Sequence, residues 1–149
     1  MPTHDLIAHL AILAAALFAG AAFYVSFAEQ PARMTLDDAA AHAHWGPSYA
    51  RGKIMQGALA AIGAALAFYV WWTSLNSLWL IGAILLAANW PFTWFAIMPV
   101  NRRLEASASG QGDAGTRILL HHWGRLHAIR AALGGAAALV MLVALHHRL

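Results

Sequence analysis

The chain has no cysteine in 149 residues. That excludes disulfides, thiolate metal sites and a cysteine nucleophile. Charge is scarce as well: 10% of residues are Asp, Glu, Lys or Arg, against about 25% in a soluble domain. Only six are acidic, which leaves few carboxylates to pair with nine Lys and Arg. No stretch interleaves basic and aromatic residues in the manner of an RNA or DNA surface, so no nucleic-acid partner is expected. What abounds is apolar surface, 61% of residues. One small soluble core cannot bury that much, because small domains keep a high ratio of surface to volume. Lipid is the alternative solvent.

Crossing the hydrocarbon takes about 20 apolar residues in a helix. Four segments qualify, at about 5–27, 53–73, 78–100 and 127–146. The first has no basic n-region and is followed by "EQPARM" instead of an A-x-A cleavage pattern, so it reads as a retained span. Residues 74–77, "SLNS", are a tight turn joining spans two and three, whereas 28–52 and 101–126 are long and polar. The expectation is a single all-α transmembrane domain over 1–149, an antiparallel up-down four-helix bundle. Thr35, Asp37 and Asp38 predict a capped, short interfacial helix over about 36–45. "EASASGQGDAG", 105–115, has linker composition, and the fourth helix should begin near 116.

Arg33, Arg51, Lys53, Arg102, Arg103, Arg117, Arg125 and Arg130 fall on the long-loop side, and only Arg148 on the other. The positive-inside rule puts the long loops in the cytoplasm and both termini outside, with a bacterial inner membrane as the expected location. Ala16 and Gly20, Gly57 and Ala61, and Ala131 and Gly135 are small-residue pairs at four-residue spacing, suited to close helix packing. Trp71, Trp72 and Trp79 flank the short turn like an interfacial belt.

Polar groups inside a span are costly and point to function. Trp123, His127 and Arg130 lie at i, i+4 and i+7, one helical stripe, with Arg130 a turn inside the fourth span. Headgroup snorkelling explains Arg117 and Arg125 better than it explains this stripe. In the third span Pro91 should kink the helix, and Asn89 and Thr93 share a face able to satisfy the freed carbonyl. Pro99 should limit that helix near Met98, with Asn101 just beyond it. Tyr24 lies near the end of the first span, and Trp45 and Tyr49 could lid the bundle mouth. An arginine buried alone is expensive, so Arg130 needs an acceptor, and Glu29 is the carboxylate expected at that depth.

Nine histidines raise the question of a metal. His42 with His44, and His121 with His122, lack the spacing of the helical H-E-x-x-H, and no C-x-x-C-H is present. No cofactor is expected. Haem between His9 and His127 is kept as a minority alternative.

These elements resemble the anthrone-oxygenase-like family of small four-span membrane proteins. The carriers are Gly20, Phe23 and Pro31, then "WPFT" (90–93), "PVNRRL" (99–104) and "WGRLHAIR" (123–130), spread over nearly the whole chain. The resemblance implies a four-helix membrane bundle, and for a few members oxidation of anthrones to anthraquinones without metal or organic cofactor. On that reading His127 is the base, and Arg130 and Asn101 stabilise the developing oxyanion. Trp123, Trp45, Tyr49, Tyr24, Thr93 and Asn89 contact an apolar aromatic substrate. The alternative is a non-enzymatic membrane subunit or lipid-binding bundle, in which capping, kinks and headgroup contacts account for every polar group. A homo-oligomer stays open.

Overall fold

The computed structural model describes residues 3–107 and 114–147. Four helices make up these residues: α1 (Asp5–Arg33), α2 (Asp38–Ser74), α3 (Ser77–Ala106) and α4 (Gly115–His146). Each is long and apolar enough to cross a membrane. α1 packs on α2 and α4, and the first half of α3 packs on the same two helices, which closes a four-helix bundle. Leu13, Ile54, Ile84 and Phe95 are all more than half exposed on its outside. Large exposed apolar side chains in this number are a liability in water and need no cover in lipid. The fold is all-α and that of an integral membrane protein.

Two cores hold the bundle. The first joins Ala8, Ala11, Ala15 and Phe18 of α1 to Ala60, Ala67 and Val70 of α2, Trp79 and Leu86 of α3, and Ala137, Met141 and Ala144 of α4. The second joins Ala41 and Trp45 of α2 to Ile97, Val100 and Leu104 of α3 and Leu120 and Trp123 of α4. The small side chains of the first core allow close approach. A Cβ on Gly63 would stand 2.6 Å from Leu86 Cδ2, and one on Gly82 2.7 Å from Met141 Cγ. The glycines of the pairs expected to do this do not: Gly20 and Gly135 have open space around them, and Gly57 meets only Trp90, at 4.0 Å, although Ala131 packs against the first core. Trp79 also departs from expectation. It is fully buried in the first core, while Trp72 is 67% exposed.

No separate interfacial helix forms. Asp37 caps α2 by accepting from the Ala40 N–H at 2.8 Å, and the helix then runs unbroken to Ser74 through Pro47. Gly46, which precedes the proline, has no Cβ for the ring to strike. One buried stripe (Ala41, Trp45, Gln56, Ala60, Gly63, Ala67, Val70) continues across it, so packing rewards a single helix. α4 is likewise continuous over Ala114–His146. Most of the expected linker lies outside the described residues.

α3 is interrupted. Its α-helical pairing lapses at Ala88, three residues before Pro91, and Asn89 Nδ2 donates back to the carbonyls of Leu86 (3.1 Å) and Leu85 (3.4 Å). A π-helical turn follows at Thr93–Ile97, and α1 has another at Val25–Glu29. Each begins six positions before a proline, Pro99 (99 − 93) and Pro31 (31 − 25). A proline ring presses on the carbonyl four residues back, and the wider π turn relieves that contact. Pro99 therefore does not end the helix near Met98: α3 continues through it to Ala106.

The interruption has a spatial result. α2 packs on Ser77–Ala87, but Asn89–Ala106 stays with α4 instead. The two helices meet again further along, where His42 Nε2 lies 2.7 Å from the Leu104 carbonyl.

Candidate functional site

A cavity of about 230 Å³ occupies the gap between α2 and the second half of α3. A liquid water takes up roughly 30 Å³, so the space suits a small organic molecule. α4 contributes Trp123, His127 and Arg130, which all face inward and are 9% exposed or less. His121 and Arg125 on the same stretch are exposed. α3 contributes Asn89, Thr93 and Asn101, and α2 contributes Tyr49 and Gln56. Both π turns border it, through Val25 on one side and Thr93 and Ile97 on the other. Such turns re-aim side chains by a fraction of a helical turn, which is why they recur at functional sites.

Several polar atoms here lack protein partners among the described residues. Asn101 is fully buried beside the Tyr49 hydroxyl, and neither its Oδ1 nor its Nδ2 makes a well-formed hydrogen bond among the described residues. The same is true of Gln56 Oε1, Asn89 Oδ1, Trp123 Nε1 and Arg130 Nε. Buried polar groups are nearly always satisfied, and each orphan costs about 1–3 kcal/mol. Five residues with such orphans line one cavity, so a guest with both acceptor and donor atoms would complete them. Arg130 forms no ion pair among the described residues. Its guanidinium lies over the Phe18 ring, 5.6 Å from the centroid, and within electrostatic reach of Tyr49.

His127 is held on two sides. Its ring stacks on Trp123 with centroids 4.9 Å apart, and Nδ1 is 3.2 Å from Ser26 Oγ. Ser26 spends its one proton on the Ala22 carbonyl at 3.0 Å. Its oxygen can then only accept from His127, so the network assigns the ring hydrogen to Nδ1 and leaves the lone pair on Nε2.

Glu29 does not pair with Arg130. It pairs with Arg33, four residues on along its own helix, and accepts from Ser48 Oγ. Proximity decides this, since an i, i+4 partner costs less ordering than one on another helix. Arg33 is the larger surprise. Counted from the sequence as a topology marker, its side chain is fully buried. It donates to Glu29, to Gln30 Oε1 and to His44 Nδ1 (3.2 Å), and covers the Trp123 ring at 5.5 Å. Gln30 in turn donates to the Leu120 carbonyl at 2.8 Å across Gly124, where a Cβ would come within 3.0 Å of its side chain. Arg117 is not a headgroup anchor either: it binds Asp38 and the carbonyls of Met34 and Leu36.

Two expected contact residues are elsewhere. Tyr24 is 62% exposed and turned outward, because the π turn begins only at the next residue. Trp45 does not line the cavity. It is buried behind it, stacked on Tyr49 (4.9 Å) and edge-on to Trp123 (6.3 Å), and so braces two residues that do. His9 is exposed, with Nδ1 2.6 Å from the Asp5 carbonyl, so it does not join His127 as a haem pair. Gln56 went unremarked in the sequence, although a polar residue inside a span is itself the signal.

A family model described as anthrone oxygenase matches residues 45–140, more than half of the chain. The chain belongs to the anthrone oxygenase family. Its matched region takes in every cavity-lining residue of α2, α3 and α4 named above and leaves out the α1 segment with Ser26, Glu29 and Arg33. No curated protein and no solved structure matches the chain.

Proposed function

We propose that this anthrone oxygenase family member oxidises an apolar aromatic carbon acid of the anthrone type inside the membrane. The observation that carries the reading is an unpaired guanidinium, Arg130, among orphaned hydrogen-bonding atoms in an otherwise apolar cavity. A buried cation without a counter-ion is costly unless a ligand supplies the charge. An enolate supplies it.

The chemistry needs only what the substrate carries. His127 Nε2 removes a proton from the ring CH₂ next to the carbonyl-bearing system. The negative charge moves to the carbonyl oxygen, where Arg130 and Asn101 Nδ2 stabilise it. The electron-rich carbon gives electrons to O₂ and bonds to it, forming a hydroperoxide that takes up the proton. Loss of water leaves a new C=O, so CH₂ and O₂ become C=O and H₂O. The substrate is the reductant, and the proposal calls for no metal or organic cofactor. Trp123 and Tyr49, whose rings are stacked on His127 and Trp45, present edges and remaining apolar surface to the substrate rings.

The proposed location is a bacterial inner membrane with the cavity end towards the cytoplasm and both termini outside. Arg33, Arg117 and Arg130 have structural or site roles, but Arg51, Lys53, Arg102, Arg103 and Arg125 remain exposed on that side. They still outnumber the lone Arg148 opposite, which lies outside the described residues.

The test is oxygen uptake by the purified protein in lipid nanodiscs supplied with anthrone, against empty nanodiscs to subtract autoxidation. Uptake that His127→Ala and Arg130→Leu each abolish supports the reading. A folded protein with no uptake above the blank leaves the lipid-binding alternative, which Lys53, exposed at the cavity rim, would serve by holding an anionic headgroup.

A further inference from the structure

The cavity is framed. At one end α2 and α3 are in tight contact, with Gly63 against Leu86 in the first core. At the other end His42 is bonded to the Leu104 carbonyl, and Trp45, Trp123, Leu104 and Leu120 form a buried plug between the cavity and that end of the bundle. Between the two closures the helices part. The edges of this gap are Lys53 and Gly57 on α2 and Trp90 and Trp94 on α3. Trp90 and Trp94 are 56% and 64% exposed, and Ile54 and Met55, which follow Lys53 on α2, are turned outward as well. The gap therefore opens sideways, towards lipid, and not along the bundle axis.

We propose that this gap is a lateral window through which an aromatic molecule dissolved in the bilayer enters and leaves the cavity, with Gly57 and Trp90 as its threshold. The aromatic identity of the guest rests on the proposed function. The route rests on the framing alone. The window's position suits an amphipathic guest. Lys53 is where the apolar part of α2 begins, a depth at which aromatic rings with polar atoms settle in bilayers. Gly57 is the narrow point: its Cβ position stands 4.0 Å from Trp90 Cζ2, so any larger residue there narrows the passage. The two sides differ in construction. α2 is one unbroken helix, whereas the Trp90 side is the stretch weakened at Ala88 and Pro91 and carrying a π turn. Widening by movement of the α3 side is the natural way to admit a flat ring.

The absence of cysteine makes a clean test. A single thiol is placed at Ala60, a buried cavity-lining position, and the full chain is reconstituted in liposomes. Labelling by N-phenylmaleimide, which partitions into lipid, is compared with labelling by the charged sulfonatoethyl methanethiosulfonate. Each rate is normalised to the same variant unfolded in dodecyl sulfate. The charged reagent is anionic, so Arg130 and Lys53 would attract it along any aqueous route. The expected result is labelling by the maleimide and protection from the charged reagent. Gly57→Leu added to this variant should cause loss of maleimide labelling, and Trp90→Ala should speed it. That opposite pair of outcomes separates a passage from a folding defect. Ready labelling by the charged reagent, or maleimide rates indifferent to both substitutions, would overturn the window. Anthraquinone added to the bilayer should protect the thiol. Window behaviour without that protection would overturn the aromatic guest, and with it the proposed reaction, while the route stands.

Discussion

Arg130→Leu should make the empty protein more stable and less active at once. Arg130 is 9% exposed, its Nε is unbonded, and it has no ion-pair partner among the described residues. A charged side chain inside a span costs up to about 2.5–3.5 kcal/mol on insertion scales, the figure for the span's centre. The contact with the Phe18 ring returns some of this, about 0.5–2 kcal/mol. Exchanging the guanidinium for a leucine removes both, for a net gain of roughly 1–2 kcal/mol, within the range seen when buried charges give way to apolar residues. Turnover should fall about 10²–10³-fold, the usual consequence of losing one donor to a developing oxyanion. Arg130→Lys should retain part of the activity, because it keeps the charge and loses the planar fork. Stability is read from unfolding in mixed micelles of increasing dodecyl sulfate, activity from oxygen uptake with anthrone. A loss of stability of about 3 kcal/mol or more, as when one partner of a buried pair is removed, would refute the reasoning, since it would mean that Arg130 already has an internal counter-charge.

Glu29→Gln should destabilise the protein by about 3–5 kcal/mol, because it strands Arg33 as a buried unpaired cation, and adding Arg33→Met should recover much of the loss in the same unfolding assay. Gly124→Ala should cost about 1–3 kcal/mol by forcing Gln30 off the Leu120 carbonyl, whereas Gly20→Ala, with open space around it, should be neutral or slightly stabilising in a helix. Ser26→Ala should cost about 1–3 kcal/mol in unfolding, by orphaning the buried His127 Nδ1–H, and lower oxygen uptake roughly tenfold, the kinetic equivalent of about 1.4 kcal/mol; Ser26→Thr should restore both if fixing the His127 tautomer is what Ser26 does.

The helical stripe of Trp123, His127 and Arg130 was legible because a polar residue inside an apolar span stands out and its spacing fixes the face it shares. Asn101, Asn89 and Thr93 were legible for the same reason, helped by the prolines around them. Gln56 was open to the same argument and was passed over. Arg33 was hidden by its position. A basic residue just past a span reads as a headgroup anchor, and only the fold shows the helix continuing through it, with Gln30 and Glu29 turned to meet it. Tyr24 and Trp45 were misplaced for a different reason. Tyr24 precedes the π turn and keeps the register of Ala15, Phe18 and Ala22, which turns it outward, and a continuous α2 puts Trp45 in the core. Apolar all round, these spans show neither in a hydrophobicity pattern. The window has one visible trace, Pro91, but a proline shows that a helix bends and not which neighbour it bends away from.

The central claim is that this cavity turns an anthrone carbon into a carbonyl at the expense of O₂. The most direct measurement supplies anthrone and isotopically labelled O₂ to the protein in nanodiscs and follows both oxygen consumption and the mass of the product. The account predicts one O₂ consumed for each anthraquinone formed above the protein-free rate, one labelled oxygen in the new carbonyl, and loss of both with His127→Ala. A protein-dependent product carrying no label, or a rate equal to that of empty nanodiscs, would contradict it.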